Sequence, residues 1–174
     1  MFENIIKNVH NRHPLIHCIT NYVSINDCAN IVLACGGAPI MAEDINEVSQ
    51  ITSICQGLDI NIGMLNDNKL SSMLKAGATA NELGIPVILD PVGAGSSDYR
   101  IKAVQNLMSN VQFGVIRGNV SEIKAIAAKQ GIHNIAAGVY ETMQKNKSAM
   151  GVEAGIADKI TDDNIKEMAD FINK

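Results

Sequence analysis

The sequence predicts an α/β fold: a mostly parallel central sheet with helices on both faces. Two observations carry that expectation. Short apolar runs of strand length alternate with longer stretches of helical apolar spacing between Pro14 and Ala128. The run Val87-Ile88-Leu89 also ends in Asp90-Pro91, followed by the Gly-rich turn Val92–Gly95. Val87, Ile88 and Leu89 fit a strand buried on both faces, and Pro91 fixes φ and stops it. Gly93 and Gly95 let the chain turn tightly, and Ser97-Asp98 can cap a helix over Asp98–Asn110.

The remaining elements follow in order. Phe2–Val9 reads as a short amphipathic helix, with Phe2, Ile5, Ile6 and Val9 on one face. Pro14–Thr20 is the first strand. Ser24 or Asn26 starts a helix with Cys28, Ile31, Val32 and Cys35 at helical spacing, and Gly36-Gly37 ends it. Pro39–Met41 is a very short second strand. A helix over Ile45–Cys55, closed by Gly57, leads to a third strand, Leu58–Gly63. Asn66 or Asp67 caps a long helix to Leu83, closed by Gly84. After the strand at Val87, Phe113–Ile116 is the fifth, and Ser121–Ala128 is a helix with Ile123, Ile126 and Ala127 inward. Lys129–Lys159 is less regular. Thr161-Asp162-Asp163 then caps a last helix, Asn164–Ile172. A βα pattern that closes on a helix without its return strand reads as one domain over residues 1–174, incomplete at its C-terminus.

Composition narrows the class. A chain of 174 residues is long enough for one domain, which buries on the order of 70% of its unfolded surface. Apolar residues make up 47% and charged residues 18%, as in ordinary globular domains. The net charge of −4 and the absence of a basic run argue against a nucleic-acid partner. No apolar run is long enough to span a membrane. Met1–His13 carries Glu3 and Arg12 and lacks the apolar region of a signal peptide, so the expected location is cytoplasmic. Cys18, Cys28, Cys35 and Cys55 show no Cys-x-x-Cys spacing and read as reduced core residues. His10, His13, His17 and His133 show no metal-ligand spacing, and His17, inside a strand, reads as a hydrogen-bonded core histidine.

Candidate functional residues cluster at the carboxyl ends of the expected strands. Asp90 precedes a Gly-rich turn into a helix, an arrangement suited to a phosphate and its cation, although it equally serves to cap a turn. Arg117-Gly118-Asn119-Val120-Ser121-Glu122 leaves the fifth strand for a helix. Of three arginines, Arg117 is the one placed to share a phosphate with a helix N-terminus. Glu122, in the first helical turn, is favourable to the helix dipole; with Asp90 at the same edge it also suits a magnesium that keeps most of its waters. Asn21 either begins a turn or contacts a substrate. Met41 either packs in the core or lines a pocket.

With these residues in hand, the sequence resembles the hydroxyethylthiazole kinase family of thiamine salvage, in the ribokinase-like superfamily. The resemblance runs from about Pro14 to Ile126. It rests on Thr20-Asn21-Tyr22-Val23, Ala38-Pro39-Ile40-Met41-Ala42, Asn61-Ile62-Gly63, Asp90–Gly95 and Arg117–Glu122 in family order. It implies a ribokinase-like sheet and transfer of phosphate from ATP, with magnesium, to the alcohol of 4-methyl-5-(2-hydroxyethyl)thiazole. By the same resemblance Met41, with Asn21 and Gly63, contacts the thiazole. Arg117 and Asn119 contact the nucleotide, and Asp90 and Glu122 surround magnesium. It further implies a homotrimer whose pocket takes Met41 and Asn21 from one subunit and Gly63 with Asp90 from the next.

Two departures from the family pattern stand out. The family's later strand ending in Thr-Gly, and its Gly-Thr-Gly-Cys turn, which supply the nucleotide-contacting Thr, the anion hole and the catalytic Cys, have no counterpart here. All four cysteines precede residue 56. The stretch Gly131–Met150 also looks longer than the family's usual link. Three expectations remain: a thiazole kinase, which the motifs around Met41 favour; an inactive module that keeps the substrate pocket and oligomer surface; or a sister vitamin-alcohol kinase of the same superfamily.

Overall fold

The computed structural model describes residues 2–129, and the expected stretches beyond them lie outside the described residues. Within these, helices and strands alternate: α1 (Phe2–Arg12), β1 (Leu15–Ile19), α2 (Ile25–Ala34), β2 (Ala38–Met41), α3 (Val48–Ile54), β3 (Gly57–Asn61), α4 (Asp67–Glu82), β4 (Val87–Asp90), α5 (Asp98–Asn110), β5 (Val115–Ile116) and α6 (Val120–Lys129). The five strands form one sheet in the order β2-β1-β3-β4-β5, and the β1–β2, β1–β3 and β3–β4 pairs are parallel. The α/β class is as expected. The order also places a topological switch point between β1 and β3, since the chain leaves β1 toward one side for β2 and returns to the other for β3. In open α/β sheets, ligands bind at the carboxyl ends of the strands at such a point.

The chain divides into two compact units. Among the described residues, one runs to Asp90 and takes in Asn106–Val115; the other comprises Pro91–Gln105 and residues 116–129. In the first unit, paired residues of neighbouring strands share a sheet face. His17, Ile19, Leu58, Ile60, Val87 and Leu89 are buried on one face. Val48 and Thr52 of α3, and Met73, Ala76 and Ala80 of α4, are buried as well. Fully burying each large aliphatic side chain contributes roughly 1.5–3 kcal/mol. Gly77 belongs to the inward face of α4, where a Cβ would stand 2.5 Å from Val111 Cγ2. In the second unit Ile101, Ala103 and Val104 of α5 and Ile123, Ile126 and Ala127 of α6 are buried.

The differences from expectation have local causes. β4 is not buried on both faces, because Ile88 remains 40% exposed. It pairs in register with Asp59, itself only half-buried, and alternate side chains of a strand face opposite sides. α3 begins three residues later than expected, since the Asp44 carboxylate accepts from Asn46 N at 2.8 Å and holds a turn there. β3 ends at Asn61, whose Oδ1 accepts from Gly63 N at 2.8 Å. α1 runs on to Arg12, with Ile5 and Ile6 exposed. No residue of α2 is buried, despite its apolar spacing. Of the cysteines, Cys18 and Cys55 are buried, Cys28 is half-buried and Cys35 exposed; only the first two match the core reading. Burial, aided by the charge of Asp59, pushes the Cys18 thiol up to about 12, so it stays protonated and unreactive. Among the described residues no helix is long and apolar enough to cross a membrane.

Candidate active site

The carboxyl ends of β1, β3 and β4 are joined side chain to side chain. Asn61 and Asp90 are register partners across the β3–β4 pair, so the parallel alignment places them side by side. Asn61 Nδ2 donates to Asp90 Oδ2 at 3.1 Å. Asn61 Oδ1 accepts from Gly63 N, and more weakly from Asn21 Nδ2 at 3.4 Å. Asn21 Oδ1 in turn accepts from Ser24 N at 3.0 Å and from the Ser24 hydroxyl at 3.1 Å. Asn21 therefore both begins the turn into α2 and presents its amide toward β3. Gly63 is required by this packing, since a Cβ would stand 2.9 Å from both Asn21 Nδ2 and Asn61 Oδ1.

Asn21, Gly63 and Asp90 thus adjoin within a single chain. The resemblance instead distributes them between neighbouring subunits. Met41, also expected at the substrate, is the last residue of β2 and pairs in register with Cys18. It is half-buried, on an edge strand beside the switch point.

Two residues at this edge were assigned no role from sequence, although Asn61 opens the quoted stretch Asn61-Ile62-Gly63. The role of Asn61 is visible only once β3 and β4 are aligned, because it bridges strands that sequence alone leaves unpaired. Lys69 carried a fainter signal: with Met73, Ala76 and Ala80 it lies on the buried face of α4 at helical spacing. It is 3% exposed. Its Nζ donates to the Thr20 carbonyl at 2.8 Å and pairs with Glu43 Oε2 at 2.7 Å, 4.4 Å from the centre of the Tyr22 ring. The Tyr22 hydroxyl donates to Glu43 Oε1. Partial burial of Glu43 opposes its charge, but the bonds from Lys69 and Tyr22 and the nearby ammonium prevail, holding its carboxyl below the usual range. The bond to Glu43, with its negative charge, raises the Tyr22 phenol.

His17 matches its reading as a bonded core histidine. Its Nε2 lies 2.8 Å from the Ala42 carbonyl, and its Nδ1 lies 2.9 Å from Thr52 Oγ1. Burial lowers its pKa, which favours the neutral ring with Nε2–H donating to the Ala42 carbonyl, while the Thr52 hydroxyl beside Nδ1 donates to the Val48 carbonyl at 2.7 Å.

In the second unit, Glu122 and Asn119 form a reciprocal cap on α6. Asn119 Oδ1 accepts from Glu122 N at 3.0 Å, and Glu122 Oε2 accepts from Asn119 N at 2.8 Å. Glu122 Oε1 accepts from Gly93 N at 2.8 Å, so both oxygens of this 5% exposed carboxylate receive backbone amides. Gly93 has φ +65°, the left-handed conformation that makes the turn. Arg117 is exposed, two residues before the cap. No cluster of three or more metal-ligating side chains is present among the described residues.

Known proteins agree with this architecture. The model of the hydroxyethylthiazole kinase family matches residues 6–164. The chain belongs to that family. It is 52% identical over 171 residues to the hydroxyethylthiazole kinase of Clostridium acetobutylicum, covering 98% of this chain and 57% of that one. It is 44% identical to that of Methanobrevibacter smithii, covering 98% and 56%. The solved structure of the Pyrococcus horikoshii hydroxyethylthiazole kinase superposes with a TM-score of 0.72 at 38% identity, covering 83% of this chain and 56% of that one. The ribokinase-like class expected from sequence is supported by this likeness. The chain spans a little over half the length of these hydroxyethylthiazole kinase relatives.

Proposed function

We propose that this chain binds the thiazole alcohol at the carboxyl ends of β1, β2 and β3, and acts in transferring the terminal phosphoryl group of ATP to its hydroxyl. The observation that carries the reading is the bonded row Asn21–Asn61–Asp90 at the switch point of a family member. Met41 supplies an adaptable apolar wall for the ring, and the Asn21 amide a polar contact that orients the alcohol. Phosphoryl transfer depends on positioning and on neutralising charge more than on covalent chemistry by the protein.

Asp90 suits magnesium by its chemistry: a hard carboxylate oxygen steadied by the Asn61 amide and half-buried at a strand end. Magnesium, when bound, would neutralise charge on the ATP phosphates. In the other unit, exposed Arg117 is proposed for the nucleotide phosphates, as a planar fork able to bond two oxygens. Asn119 caps the helix start beside it, and Glu122 holds the Gly93 turn in shape through its two backbone bonds. Assembly as a homotrimer and a cytoplasmic location belong to the same proposal.

The test is calorimetric titration of the chain with the thiazole alcohol, and with the analogue bearing ethyl in place of hydroxyethyl. Binding of the alcohol well above the ethyl analogue supports the reading. No difference between them, or no binding, contradicts it.

A further inference from the structure

We propose that Lys69 is a positioning residue that sets the geometry of the substrate edge by tying the three segments that follow β1, β2 and β3. The proposal rests on the functional reading above for what the edge binds, and on this chain's own contacts for how the edge is held.

Lys69 is an unexpected residue at its place. It occupies the first turn of α4, after the cap in which Asn66 Oδ1 accepts from Lys69 N at 2.9 Å. A cation there opposes the helix dipole, and a buried ammonium is costly unless it is paired. Its hydrogen-bond and ion-pair partners belong to two different segments. The Thr20 carbonyl closes β1, and Glu43 follows β2 by two residues. Lys69 itself belongs to the helix reached from β3 through Gly63. The proposed substrate residues Asn21 and Gly63 lie in the segments after β1 and β3, and Met41 ends the strand that leads into the segment after β2.

The connection to those residues is direct. A peptide unit is planar, so holding the Thr20 carbonyl also fixes the direction in which Asn21 leaves the strand. After β2, the Ala42 carbonyl is held by His17 and Glu43 by Lys69, which together pin the chain just beyond Met41. The Tyr22 hydroxyl on Glu43, with the Tyr22 ring by the ammonium, returns the linkage to the segment after β1. Only the Lys69 end of this ion pair is buried, the Glu43 side chain being 37% exposed, and such a pair adds little net stability. Conformational specificity is the role that the contacts of Lys69 support.

The test compares wild type with Lys69→Met, Glu43→Gln and Val48→Ala in the whole chain. Val48 is fully buried in α3 and makes none of these contacts, so its variant controls for plain destabilisation. Two readouts are taken: nuclear magnetic resonance of the Asn21 and Asn61 side-chain amides and the Gly63 amide, and calorimetric affinity for the thiazole alcohol. Lys69→Met is expected to shift all three resonances and to weaken binding at least tenfold. Glu43→Gln should do so less, and Val48→Ala should lower the melting temperature while leaving both readouts unchanged. Unmoved resonances in Lys69→Met, with affinity within twofold of wild type, would overturn the proposal. If Lys69→Met does not fold, Glu43→Gln decides by the same criteria. A wild-type chain that takes up no alcohol refutes the functional reading, and the resonances then decide alone whether Lys69 orders the edge.

Discussion

Asn61 Nδ2 donates to Asp90 Oδ2 at 3.1 Å, linking the last residues of two adjacent parallel strands. The same side chain accepts the Gly63 amide through Oδ1, so one asparagine both ends β3 and orients the carboxylate beside it. A hydrogen bond to a charged group is worth about 1.5–3 kcal/mol. Asn61→Ala is therefore expected to lower kcat/KM for phosphoryl transfer by roughly 10- to 150-fold. Steady-state kinetics on the active enzyme check this, and an unchanged kcat/KM would show that the carboxylate needs no such support.

Gly63→Ala places a methyl where Asn21 and Asn61 meet. Overpacking of this kind costs typically about 1–3 kcal/mol, and here the Asn21–Asn61 contact is the softest part. The expected result is a lower melting temperature together with weaker thiazole binding. A variant that is destabilised but binds normally would separate Gly63 from the substrate.

The contrast between these residues and Arg117–Glu122 shows what could be read from sequence. The end of β4 was legible because Asp90-Pro91 punctuates an apolar run, whereas the end of β3 was placed two residues late, at Gly63; α5 was placed over Asp98–Asn110 because Ser97 and the periodicity agree. Ser97 Oγ does accept from Arg100 N at 3.2 Å. Asn61 and Lys69 were not legible as site residues, because their partners lie far along the chain and depend on strand order. The capping role of Glu122 was visible as a favourable first-turn position. Its second bond, to Gly93, links residues 29 apart and could not be.

That second bond makes Glu122 a stability residue as well as a site candidate. Glu122→Ala removes half of a reciprocal cap, a change that costs about 0.5–2 kcal/mol for a cap residue. It also removes the acceptor of the Gly93 amide. Urea unfolding should show the loss, and hydrogen exchange at the Gly93 amide should accelerate. Unaltered exchange there would mean that the turn holds itself.

Arg117→Lys keeps the charge but loses the planar fork. ATP affinity should fall several-fold while thiazole affinity stays the same, measured by separate titrations. Equal ATP affinity in both proteins would make Arg117 structural.

His17 links stability to pH. Burial, acting against the bond to Ala42 and the charge of Glu47, puts its folded pKa below the ordinary 6.5. Across that interval the unfolded chain binds the extra proton, so protons favour unfolding. The contribution is complete above about pH 6.5 and is lost as pH falls from there through the folded value. Urea midpoints compared at about pH 7.5 and about pH 5.5 should drop on acidification, and the drop should be smaller in His17→Gln. The same drop in both proteins would assign it to other groups.

The account turns on where the thiazole alcohol sits, and an amide-resolved titration of the whole chain measures that most directly. The alcohol is predicted to shift the Asn21 and Asn61 side-chain amides and the Gly63 amide in one saturable step, with Asp90→Asn leaving the pattern in place. Saturable shifts confined to other parts of the chain, with Asn21, Asn61 and Gly63 unmoved, would contradict it.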